Sequence, residues 1–226
     1  MQPVIDYLPL LLQGLAVTLK LAVSTAVLGL VLGLGLALAK ISGRGWLARP
    51  AFWATDFLRG IPEFLVLLVI YFGGTQVLAQ VFGPGAPEVS PFLAGLLALG
   101  LIFGAYASET FRAAFLSVPK GQVEAGRAYG FSRWQCFRHI QLPQIWRIAI
   151  PGLGNLWQGA VKDTALVSII GLEDVMRKSQ QAAQSTREPF TFYLVAALMF
   201  LVITLISMAV IARAEKRAGR GMAEAG

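Results

Sequence analysis

Three carboxylates, Glu63, Glu109 and Asp163, stand in or beside long apolar stretches that are otherwise nearly free of charge. An acid in such a low-dielectric setting can do two kinds of work. It can pair with a fixed cation and hold helices together, or it can attract a mobile guanidinium or ammonium and offset part of that group's desolvation. Several acids staggered along one path would pass a cation onward without a single tight trap. Each has a candidate fixed partner nearby: Arg59 for Glu63, Arg112 for Glu109 and Lys162 for Asp163. Glu109 and Arg112 share the three-residue spacing of a local helical ion pair. Lys162 and Asp163 are adjacent and point about 100° apart, so each is expected to find its own partner. Asn155 and Ser168 flank Asp163 and are expected to help line its face. The candidate solute path is therefore Glu63, Glu109, Asp163, Asn155 and Ser168, with pairing as the competing reading for the three acids.

Other chemistries find little support. No Gly-x-x-x-x-Gly-Lys-Ser/Thr loop occurs, so the chain is not expected to cradle ATP phosphates or to hydrolyse ATP itself. The sole histidine, His139, has no Cys, His or carboxylate companions at ligand spacing, and neither a metal site nor a resident cofactor is expected. No serine has a nucleophile motif around it, so no catalytic residues are expected. Cys136, the one cysteine, lies among basic residues and has no second thiol to pair with. The net charge of +7 does not point to nucleic acid, because the Lys and Arg residues fall in short segments without an aromatic-basic recognition module.

The elements that must position these acids are membrane spans. The chain of 226 residues is 56% hydrophobic and 14% charged, too little polar surface to cover a soluble globule of that size. Apolar runs at 21–39, 64–87, 89–108 and 189–212 are each near or above the roughly 18 residues that a spanning helix needs. A fifth, at 148–172, has spanning length but contains Lys162 and Asp163. The expected fold is all-α and integral to the membrane, with five transmembrane helices in a single domain over residues 1–226 and core spans at about 10–217.

The N-terminal segment lacks the basic start and cleavage site of a removable signal peptide, so the first span is expected to remain. Within it, Gly29, Gly33 and Gly35 form a small-residue stripe suited to close helix packing. Lys20 is near enough to the span's end to snorkel. Lys40, Arg44 and Arg49, the loop from Lys120 to Arg147, and the tail from Arg213 are basic, whereas 73–91 has no Lys or Arg. The positive-inside rule then puts the N-terminus outside and the C-terminus in the cytoplasm. Residues 173–188 are placed outside as a loop of nearly cancelling charges. At the start of the second span, Pro62 removes a backbone donor and disfavours helical geometry at Ile61, so a break is expected there beside Gly60.

One polar segment looks like a docking surface. After Pro119-Lys120-Gly121-Gln122 breaks the preceding helix, Glu124 to Tyr129 offers about two turns of new helix before Gly130 stops it. Small Ala125, Gly126 and Ala128 are expected to let a partner approach closely. The order Glu124-Ala125-Gly126, Gly130, then Ile140-Gln141-Leu142-Pro143, resembles the EAA loop of ABC-importer permeases, with Gly126 where that family usually has a second Ala. Arg59-Gly60-Ile61-Pro62 and the stretches 104–112, 162–168 and 180–190 resemble the polar-amino-acid branch, above all its histidine/lysine/arginine/ornithine and opine permeases.

The resemblance implies a type I ABC importer permease in the bacterial inner membrane. Loop 119–143 would be its coupling loop, with Glu124, Ala125, Gly126, Gly130 and Pro143 meeting the ATPase. It also implies ABC ATPase subunits that bind ATP and Mg, a second permease subunit, a periplasmic solute-binding protein and a cationic amino acid as cargo. Glu63, the acid after Pro62, looks tied to the basic-substrate subgroup. A self-sufficient secondary carrier is the competing function, and a membrane scaffold a weaker third that leaves the intramembrane charges unexplained.

Overall fold

The computed structural model describes residues 2–83 and 85–219, and among these the chain is helical with no β-strand. Helix α1 (Gln2–Ile41) is followed by α2 (Gly45–Gly60), and then α3 (Glu63–Leu68) and α4 (Gly74–Phe82) join through a π-helical turn at Val69–Gly73. Helix α5 (Pro91–Leu116) precedes the short α6 (Lys120–Ala128). Helix α7 (Arg133–Cys136) runs through a second π turn, Phe137–Gln141, into α8 (Leu142–Asp163). A 3₁₀ segment, Thr164–Ile170, prolongs α8, and α9 (Val175–Thr186) and α10 (Pro189–Ala218) complete the chain.

Four runs, Pro3–Ile41, Glu63–Phe82, Pro91–Leu116 and Pro189–Ala218, are long and apolar enough to cross a membrane. The expected fifth span corresponds to α8 with its 3₁₀ extension, which is not among these four. Helix α5 is the axis of the bundle. On one stretch Ala94, Ala98 and Leu99 bury themselves against Leu21 of α1, Leu67 of α3 and Val167 of the 3₁₀ segment. Further along, Phe103, Ala107 and Phe111 meet Ala37, Ile145 and Ala149. Helix α10 packs on α8 and α9.

The glycine stripe of α1 explains the closeness of α1 and α5. A Cβ at Gly33 would stand 2.7 Å from the Ala107 Cβ and 3.0 Å from the Gly104 carbonyl oxygen. At Gly29 it would strike the Phe103 ring, and on the facing helix a Cβ at Gly104 would stand 3.0 Å from the Leu32 Cβ. Only hydrogen fits at these points of backbone approach. Gly35, expected to belong to the stripe, faces open space.

The expected break at Ile61-Pro62 is present: α2 ends at Gly60, Ile61 is extended and Pro62 caps α3. Four other boundaries differ from the sequence reading. Helix α1 begins at Gln2, a few residues ahead of the first span's expected start near Leu8. Helix α6 begins at Lys120 and not at Glu124, because Pro119 alone lies outside it and Gly121 is tolerated in a first turn. Pro143, expected to close the coupling loop, lies in the first turn of α8 inside a continuous helix. The π turn immediately before Pro143 absorbs the ladder hydrogen bond that proline cannot make. Residues 173–188 are mostly helix α9, whose start is fixed by Asp174 Oδ1 accepting from the Arg177 N–H at 2.8 Å.

Candidate functional site

The break at Pro62 puts Glu63 in the first turn of α3, where a helix N-terminus favours negative charge. From α8 come Asn155, Gly159 and Asp163, spaced four apart and so stacked on one face. Tyr106 projects from α5 to meet them, and Leu99, Ile102 and Phe103 supply an apolar floor. Together they line a cavity of about 170 Å³. A Cβ at Gly159 would stand in ordinary contact, 3.8 Å from Asp163 Oδ2.

Neither Glu63 nor Asp163 forms an ion pair among the described residues. Arg59, the candidate partner of Glu63, lies 3.7 Å from Asp56 instead, and its guanidinium sits 5.3 Å from the centre of the Tyr106 ring. Lys162 is exposed. The cavity therefore presents two carboxylates, an amide and a phenol against an apolar wall. That combination can hold an ammonium or guanidinium by charge and orient the rest of a small polar molecule by hydrogen bonds. Asn155 is exposed, and the volume falls below the roughly 300 Å³ of ordinary ligand pockets.

Three of the five path candidates, Glu63, Asp163 and Asn155, are brought together. The other two are not. Glu109 accepts from Lys40 Nζ at 2.6 Å through Oε1, while Oε2 accepts two bonds from Arg112 at 2.7 and 2.9 Å. Lys40, read from sequence as the first charge of a loop, is in the last turn of α1 with its side chain fully buried. Its ammonium also donates to Ser108 at 2.8 Å and lies 5.1 Å from the centre of the Phe52 ring. This is a joint of α1, α2 and α5, and Glu109 is occupied in it. Ser168 donates to the Ala165 carbonyl at 2.7 Å within the 3₁₀ segment and lies outside the cavity.

Tyr106 and Gly159 line the cavity without having been singled out. Gly159 was legible as the midpoint of Asn155-x₃-Gly159-x₃-Asp163. Tyr106 carried no such signal, because only the packing of α5 against α8 turns it inward.

On α6, Glu124 and Ala125 are exposed. Gly130, at φ +86°, ends the helix as expected: its N–H reaches Arg127 at 2.9 Å and the Phe131 N–H reaches Gly126 at 3.0 Å, the Schellman pattern. Gly126 is buried, and a Cβ there would stand 2.5 Å from Ile140 Cδ1. The space that Gly126 leaves is filled by this chain, not held open for a partner. Ser132 and Gln135 close the next helix start with a reciprocal capping box. Pro143 is exposed.

A bundle of membrane-spanning helices that gathers unpaired acids between α3 and α8 and presents a short polar helix beyond its spans is a membrane-embedded permease. Residues 29–220 match the family described as binding-protein-dependent transport system inner membrane component, and the chain belongs to that family. It is 42% identical over 218 residues to the histidine/lysine/arginine/ornithine transport system permease protein HisQ of Escherichia coli (strain K12), covering 95% of this chain and 96% of that protein. It is 45% identical over 216 residues to the octopine transport system permease protein OccQ of Rhizobium radiobacter, covering 94% and 91%. It is 43% identical over 212 residues to the arginine ABC transporter permease protein ArtQ of Haemophilus influenzae (strain ATCC 51907 / DSM 11121 / KW20 / Rd), covering 94% and 95%.

Among solved structures, an amino acid ABC transporter with histidines superposes with a TM-score of 0.82 at 32% identity, over 94% of this chain and 96% of that one. The inward-facing MetNI methionine ABC transporter shares the fold, with a TM-score of 0.76 at 18% identity over 94% and 98%. The chain is thus a polar amino acid ABC permease, a multi-pass membrane component that is not itself an ATPase. Its family works with ATPase subunits and a binding protein.

Proposed function

We propose that this permease carries basic amino acids such as arginine, lysine, ornithine or histidine across the bacterial inner membrane. The observation that supports this most directly is the pairing of Glu63 with Asp163 in one cavity where neither has a fixed cation. Two acids left without partners in low dielectric are costly unless a mobile cation visits them. A guanidinium or ammonium at the cavity relieves that cost, while Asn155 and the Tyr106 hydroxyl offer hydrogen bonds to its polar end. A neutral side chain such as glutamine's leaves both charges uncompensated. The names of the relatives agree with cationic cargo.

In this reading the open side of the cavity is closed by a second permease subunit, a homologue or a second copy. A periplasmic binding protein delivers the solute. Two partner ATPase subunits bind ATP and Mg and act through α6, where Glu124 and Ala125 face outward. Gly126 and Gly130 shape that helix from within, and Pro143 lies at the start of α8.

The test is uptake by the reconstituted complex. Labelled arginine, lysine and histidine are expected to enter, and glutamine is not. Glu63→Gln and Asp163→Asn should each reduce arginine uptake by tenfold or more while the complex remains assembled, since each removes about half the compensating charge. Glutamine carried as well as arginine would sink the assignment. An octopine permease among the relatives favours a second reading, an opine that presents the same guanidinium, and competition of octopine against arginine uptake separates the two.

A further inference from the structure

Arg59 and Glu63 are four residues apart, and in an unbroken helix they would stack on one face and neutralise each other. The break between α2 and α3 prevents this. Ile61 and Pro62 are extended, with ψ of 137° and 132°, and Arg59 and Glu63 do not pair with each other among the described residues. Arg59 is in the last turn of α2 and Glu63 in the first turn of α3, so each charge suits the dipole of its own helix end. A cation and an anion are thereby held apart along one wall.

The two stand at different heights on α5. Phe52 of α2 has its ring centre 5.8 Å from the Arg112 guanidinium, and the Arg59 guanidinium lies on the Tyr106 ring. Leu67 of α3 is buried with Ala98 and Leu99. Helices α2 and α3 therefore run antiparallel to α5. Along α8, a Cβ at Gly152 would stand 2.7 Å from Thr110 Cγ2, while Asp163 shares the cavity with Leu99, so α8 is antiparallel to α5 as well. Counted at the rise of a helix, Glu63 and Asp163 lie roughly 6–10 Å further along α5 than Arg59. Tyr106 and Asn155, which line the cavity, mark its Arg59 end. The ionic contact of Arg59 with Asp56, at 3.7 Å, is beyond hydrogen-bond reach, and the Arg59 side chain is 37% exposed. Its forked donors can take a planar anion.

We propose that Arg59 holds the α-carboxylate of the cargo while Glu63 and Asp163 hold its cationic side chain, an inference that rests on the basic-amino-acid reading above. In extended arginine the carboxylate carbon and the guanidinium carbon are about 7 Å apart by ordinary bond lengths, which fits the spacing of the two poles. The charges close as well: two acids against one cation leave a single negative charge, and a basic amino acid brings a single net positive one. Without Arg59 the cargo's carboxylate would enter low dielectric beside two acids and no cation. An amine that lacks a carboxylate leaves Arg59 unanswered, so the site separates an amino acid from a simple cation.

Equilibrium binding of labelled arginine to the purified complex in nanodiscs, with no binding protein present, tests this by competition with agmatine, which is arginine without its carboxylate. Unlabelled arginine is expected to compete about tenfold better than agmatine. Arg59→Gln should remove that preference by weakening arginine while leaving agmatine unchanged, and Arg59→Lys, which retains the charge without the fork, should keep part of it. Equal competition by the two in the wild-type chain, or an equal loss of both in Arg59→Gln, overturns the proposal and leaves Arg59 as a clamp of α2 on α5. Asp56→Asn should preserve the preference; its disappearance there would assign the effect to the contact with Asp56 and overturn the anchor. Glu63→Gln reports on the cargo reading separately, since it should weaken arginine and agmatine alike. If Glu63→Gln alters neither while Arg59→Gln still removes the preference, the cationic reading falls and the carboxylate anchor stands.

Discussion

Glu109 pairs with two cations at once, Arg112 and the fully buried Lys40 ammonium, and so holds three helices in register. Removing one member of such a network strands the other's charge. Glu109→Gln is expected to lower stability by about 2 kcal/mol or more, toward the 3–5 kcal/mol typical of fully buried pairs, because 23% of the Glu109 side chain remains exposed. Lys40→Met in the same background should recover part of the loss by removing the stranded ammonium. Thermal unfolding of the detergent-purified protein reads both.

Asp174, completely buried at the start of α9, gives a second residue-scale test. Burial pushes its carboxyl up to about 6, against the opposing pull of backbone N–H groups that favour the ionised form. The folded state then holds a proton that the unfolded chain releases near pH 4. The stability this confers is fully present below about pH 4 and is lost as pH rises through about 6. Stability at pH 5 should therefore exceed that at pH 7.5 by about 1 kcal/mol from this group, and Asp174→Asn, which preserves the cap, should abolish the difference. What could be read of single residues in the sequence followed chain distance. The Arg112 partnership of Glu109, three residues away, was legible from spacing; the Lys40 partnership, across α2, α3 and α4, was not.

At the scale of elements, local backbone chemistry was readable and packing was not. Pro62 broke the second span and Gly130 stopped α6 for reasons contained in the residues themselves. The start of α6 was misplaced because Gly121 reads as a breaker although a first turn accepts it. Helix α9 was missed because beyond Val175 its buried side is made of small residues, Ser179, Ala182 and Ala183, which give little hydrophobic periodicity. Two stripe glycines give a paired test. Gly33→Val forces α1 off α5 against backbone atoms and should cost about 1–3 kcal/mol, whereas Gly35→Val meets open space and should cost little more than its helix propensity. For α6, Glu124→Lys is expected to leave the chain inserted while reducing stimulated ATP hydrolysis in the reconstituted complex several-fold. Transport and hydrolysis at wild-type rates would remove α6 from the coupling role.

At the scale of the whole molecule, composition made the membrane class and the helical fold legible, and the charge pattern implied an orientation with the N-terminus outside. Cysteines at Ala86 and Ser185 in a Cys136→Ser background should react with an impermeant maleimide added to intact spheroplasts, and one at Arg133 should not. The reverse pattern would invert the protein. The solute cavity was half legible: Glu63 and Asp163 stood out as acids in apolar surroundings, but only the crossing of α3, α5 and α8 shows that they share a space which Glu109 and Ser168 do not enter.

The joint of Lys40 with Glu109 also sets a schedule for assembly. Its two members are 69 residues apart, so at about 5–20 residues per second the ribosome delivers the carboxylate some 3–14 s after the amine. During that interval the ammonium lacks the carboxylate it pairs with in the fold, and the first two apolar segments cannot settle into their final places. The third span is therefore the committing event of biogenesis, and chains truncated before Glu109 should remain exchangeable and open to proteolysis, while those that extend beyond Arg112 become resistant.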